Sequence, residues 1–263
     1  MKKKILVIGT GGTIASVSAD EGLKPRADVS ELLTCVPEVK EFCKLDMIQA
    51  MSIDSTNMMP ANWKVLVKII EQVSGMDYWQ FLKKELLDPC EMNDTVFVPS
   101  EEQWKRLVCM HMNIDGENAV DTSYNNRIFM DFPCTHYLGG AGLVSTLSDY
   151  IKFAKMLLNN GRVGTKQLLS KEVIDLLHTP HVSSEIMPGP MRWGLGVRVI
   201  VDESYKELSV GTYGWSGAFG THFWVDPENE MFAIYLKNSR IDGGSETKSG
   251  KNFEKAVYNS YKM

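Results

Sequence analysis

Between residues 60 and 75, Trp63, Leu66, Val67, Ile70 and Val73 recur at helical spacing. That spacing gathers them on one face and predicts an amphipathic helix. Pro60 suits the first helical position, where a missing N–H costs nothing, and Gly75 suits the left-handed position just past the end. The helix constrains the fold because its flanks are unlike. A short segment of strands and glycine-rich loops precedes it. A longer segment of helices followed by closely spaced strands comes after it.

The remaining properties set wide bounds. A chain of 263 residues holds one large domain or two small ones. The net charge of −5 gives no reason to expect nucleic acid or an anionic membrane as a partner. Lys2-Lys3-Lys4 and the apolar run Ile5-Leu6-Val7-Ile8 resemble the start of a signal peptide, but Gly9, Gly11 and Gly12 cut the run short. No stretch is long and apolar enough to span a bilayer. Five cysteines without a Cys-x-x-Cys pair favour free thiols, hence a reducing, cytoplasmic setting. The five histidines are scattered and read as surface residues. No metal site and no cofactor are expected.

In the first segment, residues 4–8 predict a buried strand that runs into Gly9-Thr10-Gly11-Gly12-Thr13-Ile14-Ala15. Glycines at a strand end let backbone N–H groups approach a ligand, and a threonine there can offer its hydroxyl. A tight loop with satisfied hydroxyls is the plainer alternative. The dinucleotide fingerprint fits poorly, because Ile14 stands where its third glycine belongs. Residues 16–26 predict a loop or hairpin, 28–36 a helix capped by Asp28, and 46–51 a second strand. That strand ends in Asp54-Ser55-Thr56-Asn57-Met58. Ligands of open α/β sheets bind beyond the carboxyl ends of strands, so two hydroxyl-rich clusters so placed can meet at one site. Capping of the following helix is the alternative role for residues 54–57.

These two clusters, with Pro60-Ala61-Asn62-Trp63, resemble the N-terminal part of a cytoplasmic-type bacterial L-asparaginase. The resemblance covers the first quarter of the chain. It implies that Thr13 is a nucleophile toward a side-chain amide, with Gly12, Ser55 and Thr56 holding the substrate. Leu23 stands where the family's activating tyrosine is expected, and no His-Gly-Thr-Asp or Thr-Asp-Thr motif occurs. Thr13 therefore lacks the family's base.

In the second segment, helices are predicted at 78–87 (stopped by Pro89), 101–110, after Ser145-Thr146 with Thr146 or Ser148 as cap, from Ser170 to 177, and at 252–261. Residues 109–136 lack periodicity and predict long loops. Strands are predicted at 193–202, 207–213, 221–225 and 231–236, with Asp226-Pro227-Glu228-Asn229 as a turn.

Several stretches here resemble the later part of a serine β-lactamase or DD-peptidase-like hydrolase of the class C and esterase kind. They are Ile69 to Gly75, Pro89 to Phe97, Gly139 to Asp149, Trp193-Gly194-Leu195-Gly196 and Tyr213 to Pro227. The resemblance implies an acyl site walled by a third motif, here Trp215-Ser216-Gly217. It also implies a Ser-x-x-Lys and a Tyr-x-Asn before residue 69, where asparaginase-like sequence stands instead. Ser245-Glu246-Thr247-Lys248 and Lys248-Ser249-Gly250 carry the right letters in the wrong order along the chain, and Tyr124-Asn125-Asn126 lies downstream of its proper place.

The fold expected is α/β to α+β. An asparaginase-like fragment (1–68) is joined by a helix to a β-lactamase-like region (69–263) of helices and an antiparallel sheet. Both resemblances point to a hydrolase of amide bonds in small molecules, asparagine or a β-lactam or peptide-like compound. Each catalytic set is incomplete, so weak activity or none is expected. The alternatives are asparagine hydrolysis through Thr13 and a non-catalytic binding or fusion protein. The sequence leaves oligomerisation open.

Overall fold

In a computed structural model of the chain, the structure describes residues 3–11, 16–19, 22–25, 30, 43–53, 59–114, 117–120, 137, 142–239, 241–242 and 247–261. The chain divides into two compact units, Met1–Tyr78 with His136–Gly140, and Trp79–Thr135 with Ala141–Met263.

The first unit is built on a parallel pair. Strand β1 (Lys3–Gly11) lies beside β4 (Cys43–Ile53), in register from Lys3↔Cys43 to Gly9↔Gln49, then shifting to Gly11↔Ile53. The shift needs a glycine. Gly11 has φ +89°, and a Cβ there would stand 2.5 Å from the Ile53 nitrogen. Between them in sequence, β2 (Ser16–Ala19) and β3 (Gly22–Pro25) form an antiparallel hairpin. The strand expected to be buried is not: Ile5 is 45% exposed and Met47, on the paired strand, also 45%. Among the described residues no further strand joins this pair. The helix expected at 28–36 lies outside the described residues except for Ser30.

Helix α1 (Pro60–Ser74) forms as the spacing requires. The Met59 N–H donates to Asn62 Oδ1 at 2.7 Å, and Gly75 closes the helix at φ 68°, its N–H donating to the Glu71 carbonyl. Ile69 is its most buried residue, while Val73 is 65% exposed.

The second unit is a five-stranded antiparallel sheet with helices on both faces. Helix α2 (Tyr78–Leu82) begins at the boundary between the units and continues as a π-helical turn, Lys83–Leu87. Helix α3 (Glu101–Arg106) is shorter than expected because Leu107 is extended, and the hairpin β5 (His111–Ile114) and β6 (Glu117–Val120) occupies part of the predicted loop region. Helix α4 (Leu147–Leu158) is capped by Thr146, whose hydroxyl accepts from the Asp149 N–H. A small hairpin, β7 (Arg162–Val163) and β8 (Lys166–Gln167), leads to α5 (Lys171–Leu177), capped by Ser170.

The sheet contains β9 (Met191–Trp193), β10 (Arg198–Ile200), β11 (Tyr213–Ser216), β12 (His222–Asp226) and β13 (Met231–Tyr235), in the order β13-β12-β11-β10-β9. Helix α6 (Lys248–Tyr261) follows. Two expectations are corrected. Residues 193–202 are not one strand, because 194–197 leave it to turn between β9 and β10. Residues 207–212 are not a strand but turns. Leu208 is buried from a turn, which in sequence imitates alternation.

The period of two in the strands decides which core each side chain joins. Val199, Tyr213 and Val225 pack with Met156 and Leu157 of α4 and Ile174 of α5. Ile200, Trp224 and Ala233 face the other way and pack with Phe253 and Val257 of α6.

Candidate functional site

On the α4 side of the sheet, a cavity of about 700 Å³ opens beside β11. Trp215 and Gly217 form one wall, with Phe223 and Ile234 from the next strands. Trp215 is set by Trp193, whose ring centroid is 4.5 Å away. Gly217 closes the connection to β12. Its N–H donates to the Thr221 carbonyl at 2.7 Å, and a Cβ there would lie 2.6 Å from Thr221 Oγ1. Opposite are Leu143, Leu147 and Tyr150, at and just before the start of α4, and Leu107, Val108 and Met110 after α3. Tyr150 stands edge-on to Phe223, and burial pushes its phenol up to about 12, so it keeps its proton at neutral pH.

Several of the polar groups in the lining are anchored by partners. At the rim, Arg106 donates twice to Asp94, at 3.1 and 2.6 Å. Hydrogen bonds from Arg106 and then Gln103 hold the Asp94 carboxyl below the usual range. Lys237 donates to the Asp242 carbonyl at 2.8 Å and to Ser249 Oγ at 3.2 Å. Asn238 donates to the Cys109 carbonyl.

One polar chain reaches the cavity from behind. The Val96–Val144 bridge brings Thr95 against Ser145, their hydroxyl oxygens 2.7 Å apart. Thr95 donates to Asp149 Oδ2 at 3.1 Å, and the Asp94 N–H donates to the same oxygen at 2.7 Å. Lys152 donates to Asp149 Oδ1 at 3.1 Å. Thr95 and Asp149 are buried, while Ser145 is exposed and lines the cavity.

Ser216, between two cavity residues, faces the other way. Its hydroxyl lies 2.7 Å from His222 Nδ1, and His222 Nε2 is 3.0 Å from Glu254 Oε1 of α6, off the line of an aligned hydrogen bond. Arg198 donates to Glu254 Oε1 at 2.6 Å and Tyr205 to Oε2 at 2.6 Å. All five side chains are buried, so His222 is a core residue rather than the surface histidine expected.

The structure therefore brings Trp215 and Gly217 to the cavity, and Ser216 to the network under α6. Thr13, Gly12, Ser55 and Thr56 lie outside the described residues. The strands that lead to them are nonetheless adjacent and parallel, ending at Gly11 and Ile53. Tyr124-Asn125-Asn126 and Ser245-Glu246 are also outside the described residues, while Lys248-Ser249-Gly250 is the first turn of α6. Among the described residues no group of three or more His, Cys, Asp or Glu could hold a metal ion, and no helix is long and apolar enough to cross a membrane.

Sequence reading missed Ser145, Thr95, Asp149, His222 and Glu254. Ser145-Thr146 and Asp149 were legible as a helix start, which hid their second connection to Thr95. Glu254 carried the one usable signal, an acid set among Phe253 and Val257 on the apolar stripe of an amphipathic helix.

Two family profiles match the chain. The beta-lactamase profile matches residues 60–252 and the N-terminal asparaginase profile residues 4–80. They overlap on α1. Lovastatin esterase of Penicillium rubens is 20% identical over 218 residues, 74% of this chain and 54% of its own. A component of the glutamyl-tRNA(Gln) amidotransferase of Aeropyrum pernix is 40% identical over 79 residues, 29% of this chain and 18% of its own. The solved structure of simvastatin synthase (LovD) from Aspergillus terreus superposes with a TM-score of 0.64 at 16% identity, covering 97% of this chain and 74% of that one. The chain spans about half the length of the curated relatives it matches in the beta-lactamase region.

Proposed function

We propose, on the premise that this chain belongs to the beta-lactamase family, that the cavity beside β11 is an acyl-ligand site for small esters or amides. The carrying observation is the cavity itself, walled by Trp215 and Gly217 of the third motif and lined by a larger apolar surface with anchored polar groups around it. Covalent turnover is slow in this reading. The chain's one Ser-x-x-Lys, at Ser245–Lys248, follows the third motif instead of preceding it, and no Ser-x-x-Lys precedes residue 69. A hydroxyl without a strong base is a weak nucleophile. The reading is supported by lovastatin esterase among the relatives.

Titration with p-nitrophenyl butyrate and with a chromogenic cephalosporin, followed by tryptophan fluorescence, tests it. A saturable quench is expected with at least one of them. Trp215→Ala should weaken binding about tenfold or more, as removal of a central aromatic contact does. A linear, unsaturable response with both compounds overturns the reading.

A second reading concerns the first unit. The parallel pairing of β1 and β4 starts the residue 12–15 and 54–58 segments from neighbouring strand ends, as an amide site built on Thr13 and Ser55 requires. Ammonia release from asparagine that vanishes in Thr13→Ala would support it. No release above the buffer rate removes it.

A further inference from the structure

We infer that Ser145 is the acyl-accepting hydroxyl of this cavity, activated by a Thr95–Asp149 proton relay; the inference rests on the acyl-ligand reading above. Ser145 is the exposed end of a buried hydroxyl chain. The carboxylate of Asp149 can only accept, so Thr95 spends its one proton on Asp149 Oδ2. With that proton so placed, the 2.7 Å contact between Thr95 and Ser145 has Ser145 donating to Thr95 Oγ1, and the Thr146 carbonyl, 3.4 Å away, is the other acceptor within reach of the Ser145 hydroxyl. The Ser145 lone pairs are left free of that bond, on the oxygen of a residue that lines the cavity.

The relay is rigidly backed. Asp149 also accepts the Asp94 N–H and a bond from Lys152, which itself donates to the Glu91 carbonyl. The Val96–Val144 bridge, with N–H to carbonyl distances of 3.0 and 2.9 Å, holds the two segments together next to the reacting groups. A preset relay of this kind lowers the cost of removing a proton as a bond forms.

The Ser145 oxygen forms a bond to the acyl carbon of an ester. Its proton passes to Thr95 Oγ1 as the Thr95 proton passes to Asp149 Oδ2. The bond from the acyl carbon to the leaving oxygen breaks, and the alcohol part departs as its anion. The negative charge of Asp149 is thus transferred to the leaving group. Only an ester whose alcohol forms a stable anion is acylating under such a weak base, so the substrate class is activated esters, with p-nitrophenyl esters as the probe.

Incubation of the full chain with p-nitrophenyl butyrate, followed by intact mass and peptide mapping, tests this. One butyryl group is expected, mapped to Ser145. Ser145→Ala should lose that adduct. Thr95→Val should slow acylation tenfold or more, and Thr95→Ser should restore it, a rescue that a packing role alone does not predict. The inference is overturned if the adduct maps to another residue, if Ser145→Ala acylates at the original rate, or if the ester binds without any adduct forming. Loss of binding in the unaltered chain overturns the acyl-ligand reading and this inference with it.

Discussion

Replacement of Glu254 by Ala is expected to destabilise the second unit by about 3–5 kcal/mol, the cost of breaking a buried ion pair from one side. Glu254 is 1% exposed and holds Arg198, itself 5% exposed, together with Tyr205 and His222. Removing the carboxylate leaves the guanidinium in the interior without a counter-charge. Glu254→Gln keeps the shape but removes the charge and turns one of the two accepting oxygens into an N–H donor, and should fall between the native chain and Glu254→Ala. Urea unfolding followed by tryptophan fluorescence measures both.

The same carboxylate sets a pH dependence. Burial alone would raise its pKa. The neighbouring His222, the charge of Arg198 and the Tyr205 hydroxyl outweigh that and hold it at about 2, against 4.5 for an ordinary glutamate. A folded pKa below the unfolded one means that the folded state binds the proton less readily. The contribution is therefore complete above about pH 4.5 and is lost as pH falls toward 2, on the order of 3 kcal/mol in all. Glu254→Ala should abolish most of that decline. An unchanged decline in the variant would assign it to other carboxylates.

The second large effect is expected at Trp224. It is 0% exposed, on the face of β12 covered by α6, and packs with Ile200, Tyr205, Leu208 and Ala233. Trp224→Ala should cost about 3–5 kcal/mol, through lost burial and the cavity left behind. Its indole Nε1 has no hydrogen-bond partner among the described residues. An unpaired buried donor is a cost already present in the native chain. Trp224→Phe removes that donor while keeping an aromatic ring, so it should recover more than half of the alanine loss. Denaturant midpoints of the three proteins decide the point. If phenylalanine is as damaging as alanine, the indole is held by something other than packing.

How much was legible in advance depended on whether a residue's partner was close in sequence. The strands β12 and β13 were readable because short runs rich in aromatic and branched residues stand on both sides of the Asp226-Pro227 turn. The starts of α4 and α5 were readable because Thr146 and Ser170 cap backbone groups only three residues on. Residues 207–212 misled, since Leu208 gains its burial from a turn and Gly211 sits at φ 88°. The position of Ser216 was misjudged for a related reason. A motif name treats three consecutive residues as one wall, but the strand period sends Trp215 and Ser216 to opposite faces. The Thr95–Ser145 and His222–Glu254 contacts join separate segments, and only tertiary structure creates them.

The position of α6 in the sequence carries a consequence for synthesis. The sheet is made from residues 191–235, yet the helix that closes its outer face begins at residue 248. Chains emerge from the ribosome in order. For the interval between those two events, Trp224 lies uncovered and Arg198 has no counter-charge from Glu254. The nascent sheet is consequently held short of its native state until the helix arrives. Completion of this face of the sheet is timed by α6, and a chain stalled before residue 254 has the strands it needs but not the charge that secures them.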